Sequence, residues 1–408
     1  MSGPLDGTLV LDLSRVLAGP WASQTLADLG ARVIKVERPG SGDDTRSWGP
    51  PYLGSDDNKE SAYFLSTNRG KESIAIDFKD KRGQAVVRAL AGKANILIEN
   101  FKPGGLKAYG LDYDSVCKLN PAIVYCSISG FGQSGPYSRK PGYDFMIQAM
   151  SGLMSVTGTE KPTKVGVAVS DLITGLYAAT GILAAYTRAR EAGQGEWLDV
   201  SLLDAQLATL ANQGMNFLVT GQSPGLAGNA HPNIVPYQVF ETADEALVLA
   251  VGNDGQFLSL CKAIGHEDFA LDSRFISNHA RVQNRHALVP LLADILKQKP
   301  ATHWLSVFED RGIPAAPVNT IAEAFADQHV LERQTVRQLK RAGMEPIPTV
   351  RSPISLHNCQ PEQGRAPPAL GDSTVAVLQE IGLAEEEIKT LLDEGVAAKP
   401  GKKATDQS

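Results

Sequence analysis

The chain has 408 residues, enough for two or three domains around a large core, and with 43% hydrophobic and 21% charged residues its composition is that of a globular protein. A formal net charge of −6 excludes a nucleic-acid or polyanion binder acting through bulk charge, so any phosphate ligand has to be met by a local basic cluster. Four cysteines lie far apart, with neither a CxxC pair nor Cys/His ligand spacing, which argues against a disulfide framework and against a metal site.

In chain order, Thr8–Leu13 reads as a buried strand, Pro20–Leu29 as a helix ending at Gly30, and Ala31–Glu37 as a second strand. This is a βαβ unit, the start of a parallel sheet. The turn after the first strand, Leu13–Ser23, holds one glycine where a dinucleotide fingerprint needs three, so Glu37 is not read as a ribose ligand. Pro39–Glu60 is an irregular loop. Strands follow at Ser73–Asp77, Ile96–Glu99 and Ile123–Ile128, with a helix at Gly83–Ala91. Ser129–Gly142 is a long Gly/Pro/Ser loop of the kind that often carries function. Next comes a strand-like piece, Val165–Val169, running into a long helix with a small-residue stripe of Thr174, Ala178, Gly181 and Ala185.

Past Gly221 the character changes. Val235–Phe240 and Ala246–Val251 read as strands, and Gln256–Ile264, Arg281–Gln298 and Thr302–Arg311 as helices. The expected architecture is α/β: a large Rossmann-like parallel-sheet domain over 1–224, a smaller α+β domain over 225–325, and a segment 326–398 returning to the large domain. That last segment carries helices at Ser373–Ile381 and Glu385–Glu394, and a disordered tail is expected over 399–408. The N-terminus has neither a signal-like nor a transit-like pattern, and no apolar run reaches about 18 residues. The reading is a cytoplasmic protein with no membrane partner.

Asp171 stands where the strand-like piece becomes the long helix. Ser170 or Asp171 is read either as an N-cap or, in the case of Asp171, as a nucleophile held ionised by the positive helix end in apolar surroundings. Four segments beside strands combine exposed backbone with basic or amide side chains: Ser14–Pro20, Glu37–Gly40, Thr67–Ser73 and Glu99–Gly104. Loops at strand ends converge in an open α/β sheet, so Arg38, Arg69, Lys71 and Lys102 are expected to gather as an anion site.

These segments, with PGYDFMIQAMSGLM, VAVSDLITG and GIPAAPVNT, make the chain similar to the class III CoA-transferases, the formyl-CoA transferase-like or carnitine dehydratase-like enzymes. SWGPPY and HPNIVPYQVF bring it nearest in look to the branch that includes succinate–hydroxymethylglutarate CoA-transferase. The resemblance implies an interlocked homodimer with the active site near the subunit interface. It also implies that Asp171 is the catalytic aspartate, and that coenzyme A, a substrate and not a permanent cofactor, meets Val16, Leu17, Ala18, Arg38, Asn68, Arg69, Gly70, Lys71, Asn100, Phe101, Lys102, Tyr143 and Asp144.

The reaction implied moves CoA from an acyl-CoA, succinyl-CoA or similar, to a free carboxylic acid, a dicarboxylate, through an aspartyl-CoA thioester. Oxyanion donors are sought in the Leu17–Ala18 turn or around Gly252–Gly255. Two features depart from formyl-CoA transferases: Leu17 replaces a glutamine, and the glycine-run loop is reduced to Gly252-Asn253-Asp254-Gly255-Gln256. Alternatives are an α-methylacyl-CoA racemase, which needs a second acid/base where this chain has Tyr143, and a CoA-binding protein without chemistry. No histidine precedes His231. Arg15, Arg46 and Arg69 are candidates to hold a substrate's distal carboxylate.

Overall fold

The computed structural model describes residues 3–55, 58–359 and 364–401. The apolar, β-branched runs of the first third form β1 (Leu9–Asp12), β2 (Arg32–Glu37), β3 (Lys71–Ile76), β4 (Ile96–Glu99) and β5 (Val124–Ser129). Their burial is nearly continuous and does not alternate, as a parallel sheet covered on both faces requires. β6 (Glu196–Ser201) forms one edge of the sheet and the two-residue β7 (Ala397–Ala398) the other. The order is β7-β3-β2-β1-β4-β5-β6, with every pair parallel except β7 on β3.

Helices α1 (Ala18–Asp28), α2 (Lys81–Lys93), α3 (Tyr113–Leu119), α4 (Asp144–Met150), α5 (Val169–Ala192), α6 (Leu202–Ala208), α7 (Thr374–Glu380) and α8 (Glu385–Asp393) cover the two faces. On one face Val86, Leu90, Val116, Val377 and Ile388 pack with Leu11, Ile34, Ile74 and Leu97. On the other, Ala22, Leu26, Ile147, Ala178 and Ile182 pack with Val10, Val33, Ile98 and Val124. From β1 the strand order runs outward in both directions, toward β2 and β3 on one side and β4 to β6 on the other. Ligands of such sheets bind outside the strand C-termini at that switch point.

The chain divides into two compact units, the first comprising Met1–Gly152, Val165–Met215 and Gln334–Ser408, the second Leu153–Lys164 and Asn216–Arg333. The segment Leu153–Lys164, placed in the large domain by the sequence reading, thus groups with the smaller unit, and the chain re-enters the first unit at Gln334 and not near 326. The second unit has an antiparallel sheet of Ala315–Pro317, Ala246–Ala250 and Tyr237–Glu241, under a core of Phe240, Leu249, Phe257, Leu292 and Phe308. The single helix expected over 281–298 is two, Asn278–Gln283 and Arg285–Leu296, broken at Asn284.

Two local expectations change. Val165–Val169 forms no strand: residues 165–168 are irregular and Val169 opens α5. Loop 39–60 is not wholly irregular, since it holds a 3-10 turn at Asp44–Ser47 and a small ribbon of Tyr52–Leu53 with Glu60–Ser61. Of the tail expected to be disordered, 402–408 lie outside the described residues. Among the described residues α5 alone has the length and hydropathy to cross a membrane, yet its Thr174, Gly175, Ala178 and Ile182 are buried in the first unit's core.

Candidate active site

Helix α5 begins after Ala168, which has no side chain to cap it, so Asp171 lies in the first turn and is not itself the cap. The capping oxygen comes from α4: Oδ1 of Asp144 accepts the Ser170 N–H at 2.8 Å. Oδ2 of Asp144 accepts from Gln148 Nε2 at 2.7 Å, and Gln148 Oε1 accepts the Val165 N–H at 2.8 Å. Ser170 Oγ meets Gln206 Oε1 of α6 at 2.7 Å. Gln148, Ser170 and Gln206 are all buried, so the polar floor beneath Asp171 is tied to three helices.

Asp171 itself is half-buried. Desolvation, with the Asp144 carboxylate adding to it, raises its carboxyl to about 7. Against the expectation of a carboxyl held ionised by the positive helix end, burial and the second carboxylate both act in favour of the protonated form. A carboxylate of that basicity is also a better nucleophile than an ordinary one.

Because α1 follows β1 and α5 precedes β6 on the same face of a parallel sheet, both helices start at the C-terminal edge of the strands. They touch one another there. A Cβ on Gly175, one turn after Asp171 on the same face, would lie 2.7 Å from the Ala18 carbonyl oxygen and 3.1 Å from Trp21 Cβ. Gly19 is equally confined, its Cβ position being 2.3 Å from the Ser14 side chain. The start of α1 is therefore set beside the first turn of α5. Its N-cap, Leu17, offers no capping oxygen, and among the described residues neither the Leu17 nor the Ala18 N–H has an acceptor.

The turn before α1 is strained. Val16 has φ +71°, a left-handed conformation that costs a β-branched residue about 1–3 kcal/mol. The backbone groups that lead into it are held. Asp12 accepts the Ser14 N–H at 2.9 Å, Lys35 Nζ donates to the Ser14 carbonyl at 2.8 Å, and Asn100 both accepts the Arg15 N–H (2.9 Å) and donates to the Arg15 carbonyl (2.6 Å). Asp43 accepts the Val16 N–H at 3.2 Å.

At the same edge lie the loops after β2 and β4. Arg38 and Lys102 are exposed there, and neither is in an ion pair among the described residues. Phe101 packs under the Arg15 guanidinium, 5.4 Å from Cζ to ring centroid, and its N–H donates to Glu99 Oε2 at 2.7 Å. Tyr143, 62% exposed, ends the long loop 130–143, and Asp144 opens α4.

Asn68–Lys71 is not part of this gathering. That segment precedes β3, so it enters the sheet from the opposite edge. Lys71 is fully buried, with Nζ donating to Asn68 Oδ1 and to the Pro20 carbonyl at 2.9 Å each and standing 3.2 Å from Asp12. Asn68 is fully buried as well, Arg69 pairs with Asp28, and the Gly70 N–H bonds the Arg365 carbonyl. The loop after β3 supplies exposed Lys79, while Phe78 stands edge-on to Phe101 and Tyr109, with centroids at 5.8 and 5.5 Å. The exposed basic residues on the loops that follow these strands are thus Arg38, Lys79 and Lys102, and Phe78, Phe101 and Tyr109 of the same edge cluster together.

Of the arginines considered for a distal carboxylate, Arg46 is buried between Glu37 (2.7 Å) and Glu60 (3.2 Å), and Arg69 is committed to Asp28. Arg15, on the strained turn before α1, is half-exposed and paired with Asp44 at 2.8 Å. The Gly252–Gly255 loop, in the second unit, has its Gly252 N–H donated to Gln256 Oε1 at 2.8 Å. Tyr63, not singled out in the sequence, stands in the field of Asp171, Asp144 and Asp43. Burial, reinforced by those carboxylates, pushes its phenol up to about 12, so it stays a hydrogen-bond donor at neutral pH. No spacing in the sequence signals this residue; only the fold brings it near Asp171.

A basic carboxylate at the start of a helix, a neighbouring helix with unsatisfied N–H groups, and a cationic and aromatic edge suit nucleophilic attack on a thioester held by its nucleotide end. Comparison with known proteins points the same way. The chain is 48% identical over 382 residues to the succinate–glutarate CoA-transferase of Agrobacterium fabrum, covering 93% of this chain and 96% of that protein. It is 41% identical over 380 residues to the human succinyl-CoA:glutarate CoA-transferase, covering 93% and 86%. The crystal structure of a CAIB/BAIF family protein from Brucella suis superposes with a TM-score of 0.83 at 45% identity, covering 93% of this chain and all (100%) of that one. Residues 5–374 match CoA-transferase family III, and the chain belongs to that family as an enzyme that uses CoA thioesters as substrates.

Proposed function

We propose that the enzyme moves CoA from succinyl-CoA to a second dicarboxylic acid by covalent chemistry on Asp171. The carrying observation is the place of Asp171 itself, a carboxyl raised to about 7 beside the uncapped start of α1. The ionised carboxylate attacks the thioester carbonyl, giving a mixed anhydride and CoA thiolate. The thiolate then attacks the Asp171 carbonyl, releasing succinate and leaving an aspartyl-CoA thioester. The acceptor carboxylate repeats the exchange in reverse, and returning thiolate frees Asp171 and completes the new acyl-CoA.

Each tetrahedral intermediate places charge on an oxygen that the Leu17 and Ala18 N–H groups and the Tyr63 phenol are suited to receive. Arg38, Lys79 and Lys102 suit the phosphates of CoA, with Phe78, Phe101 and Tyr109 beside them. Arg15 suits the distal carboxylate. The names of the Agrobacterium and human relatives support succinate and glutarate as the acid pair. A racemase would need an imidazole where this chain has exposed Tyr143, a poor base at neutral pH.

The working form in this reading is a homodimer. Phe145, Met146 and Met150 of α4, Leu176 and Tyr177 of α5 and Leu207 of α6, each 41–57% exposed, lie on helices that pack together and leave an apolar face uncovered. Four free thiols fit a cytoplasmic site of action.

The functional test is direct. Succinyl-CoA incubated with glutarate should yield glutaryl-CoA and succinate at equal rates, with acetate a much poorer acceptor. Equal turnover with monocarboxylates would overturn the dicarboxylate assignment, and racemised 2-methylacyl-CoA without exchange would overturn the transferase chemistry.

A further inference from the structure

We propose that the buried ion pair Lys35–Asp43 is a positioning device for the reaction, clamping Val16 in its left-handed conformation so that the free N–H groups of Leu17 and Ala18 stay at the Asp171 end of the sheet. The proposal deepens the reading of those N–H groups as oxyanion donors and rests on it.

The side chains of both members are fully buried, with Lys35 Nζ 2.9 Å from Asp43 Oδ2. A buried pair of this kind is weak evidence for stability in itself, because desolvation offsets most of the attraction. Its geometry here serves the turn. Lys35 holds the Ser14 carbonyl (2.8 Å), on one side of Val16, and Asp43 holds the Val16 N–H itself (3.2 and 3.3 Å to its two oxygens).

Asp43 is in turn held by its own loop and by Glu37. Thr45 N–H and Oγ1 both donate to Oδ1, at 3.0 and 2.8 Å, and the Asp43 N–H donates to Glu37 Oε2 at 2.9 Å. Glu37 is locked by Arg46 and by Ser73 Oγ at 2.6 Å. The chain of contacts therefore runs from the sheet, through loop 39–60, to one strained residue.

A β-branched residue keeps a positive φ only while its surroundings over-determine it. Without the clamp Val16 relaxes to an ordinary conformation, and the two residues after it, the N-cap and the first residue of α1, swing away. Glycine would hold the same φ without strain. Asp43 and Val16 should then be energetically coupled in catalysis, although neither reacts with substrate.

The test is a double-mutant cycle on kcat for succinyl-CoA:glutarate exchange. Asp43→Asn should lower kcat about 100-fold in the native background, the size of a lost oxyanion donor. In the Val16→Gly background it should cost less than about fivefold, and KM for succinyl-CoA should change much less than kcat. Circular dichroism and unfolding temperature report the fold. If Asp43→Asn fails to fold, the charge-neutral pair Lys35→Met/Asp43→Asn replaces it in the same cycle. An equal loss in both backgrounds, or an unchanged kcat in a folded Asp43→Asn protein, overturns the clamp. Covalent labelling of Asp171 by succinyl-CoA is read in parallel. Labelling with no Asp43–Val16 coupling refutes the clamp alone, whereas full exchange activity in Asp171→Ala refutes the chemistry on which it rests.

Discussion

At the residue scale the site turns on two carboxyls. Asp171 is raised to about 7 first by burial and then by Asp144, so the nucleophilic form accumulates as pH rises through about 7. The kcat/KM for succinyl-CoA should therefore fall tenfold per pH unit below about 7 and level off above it. Asp144→Asn removes the repelling charge and should move that limb to lower pH while retaining an oxygen for the Ser170 N–H. Glu99, also pushed up to about 7 by burial, does not contact Asp144 and should not move. A limb unshifted by Asp144→Asn would assign it to Glu99 or to another group. The same shift has a stability sign. Between the reference value of 3.8 and about 7 the folded state binds the Asp171 proton more tightly than the unfolded chain does, so this group lowers stability as pH rises across that window.

The residue scale is also where the sequence was least complete. Asp171 and Asp144 were legible because one segment carried each of them. Tyr63 was not, since its proximity exists only after the strands are assembled. Lys71 was misplaced for a physical reason that the sequence did contain. Ligand loops follow strands in a parallel sheet, and Asn68–Lys71 precedes the strand read at Ser73–Asp77. The loop that follows that strand carries Phe78 and Lys79 to the C-terminal edge of the sheet.

At the scale of elements, the strands and helices read in the first unit agree with their apolar patterns to within a few residues, because buried parallel strands and helices with one apolar face advertise themselves locally. The exception, Val165–Val169, has a β-branched pattern but no neighbouring strand to pair with, and it becomes the irregular approach to α5. The small-residue stripe of α5 was legible; its partner was not. Gly175 lets α5 come against the Ala18 carbonyl of α1, which sets the two helix starts side by side. Gly175→Ala should force the helices apart, costing about 1–3 kcal/mol in thermal unfolding, and should depress kcat more than KM. A variant with native stability and kcat would show that this close approach does not matter.

At the scale of the whole molecule, the α/β class and a second, smaller unit followed from the change in pattern past Gly221, while the grouping of Leu153–Lys164 with that unit had no local signal. The apolar face on α4, α5 and α6 belongs to this scale as well. Sedimentation should show a dimer at micromolar concentration, and Leu176→Glu with Phe145→Glu should weaken it; a monomer in the native protein would contradict the homodimer.

The proposed chemistry requires Asp171 to carry the transferred group. The most direct measurement is mass spectrometry of the protein incubated with succinyl-CoA, trapped with hydroxylamine or borohydride and digested. The expected result is modification of the peptide containing Asp171, lost in Asp171→Ala and discharged when glutarate is added before trapping. An unmodified Asp171 during sustained exchange would contradict it.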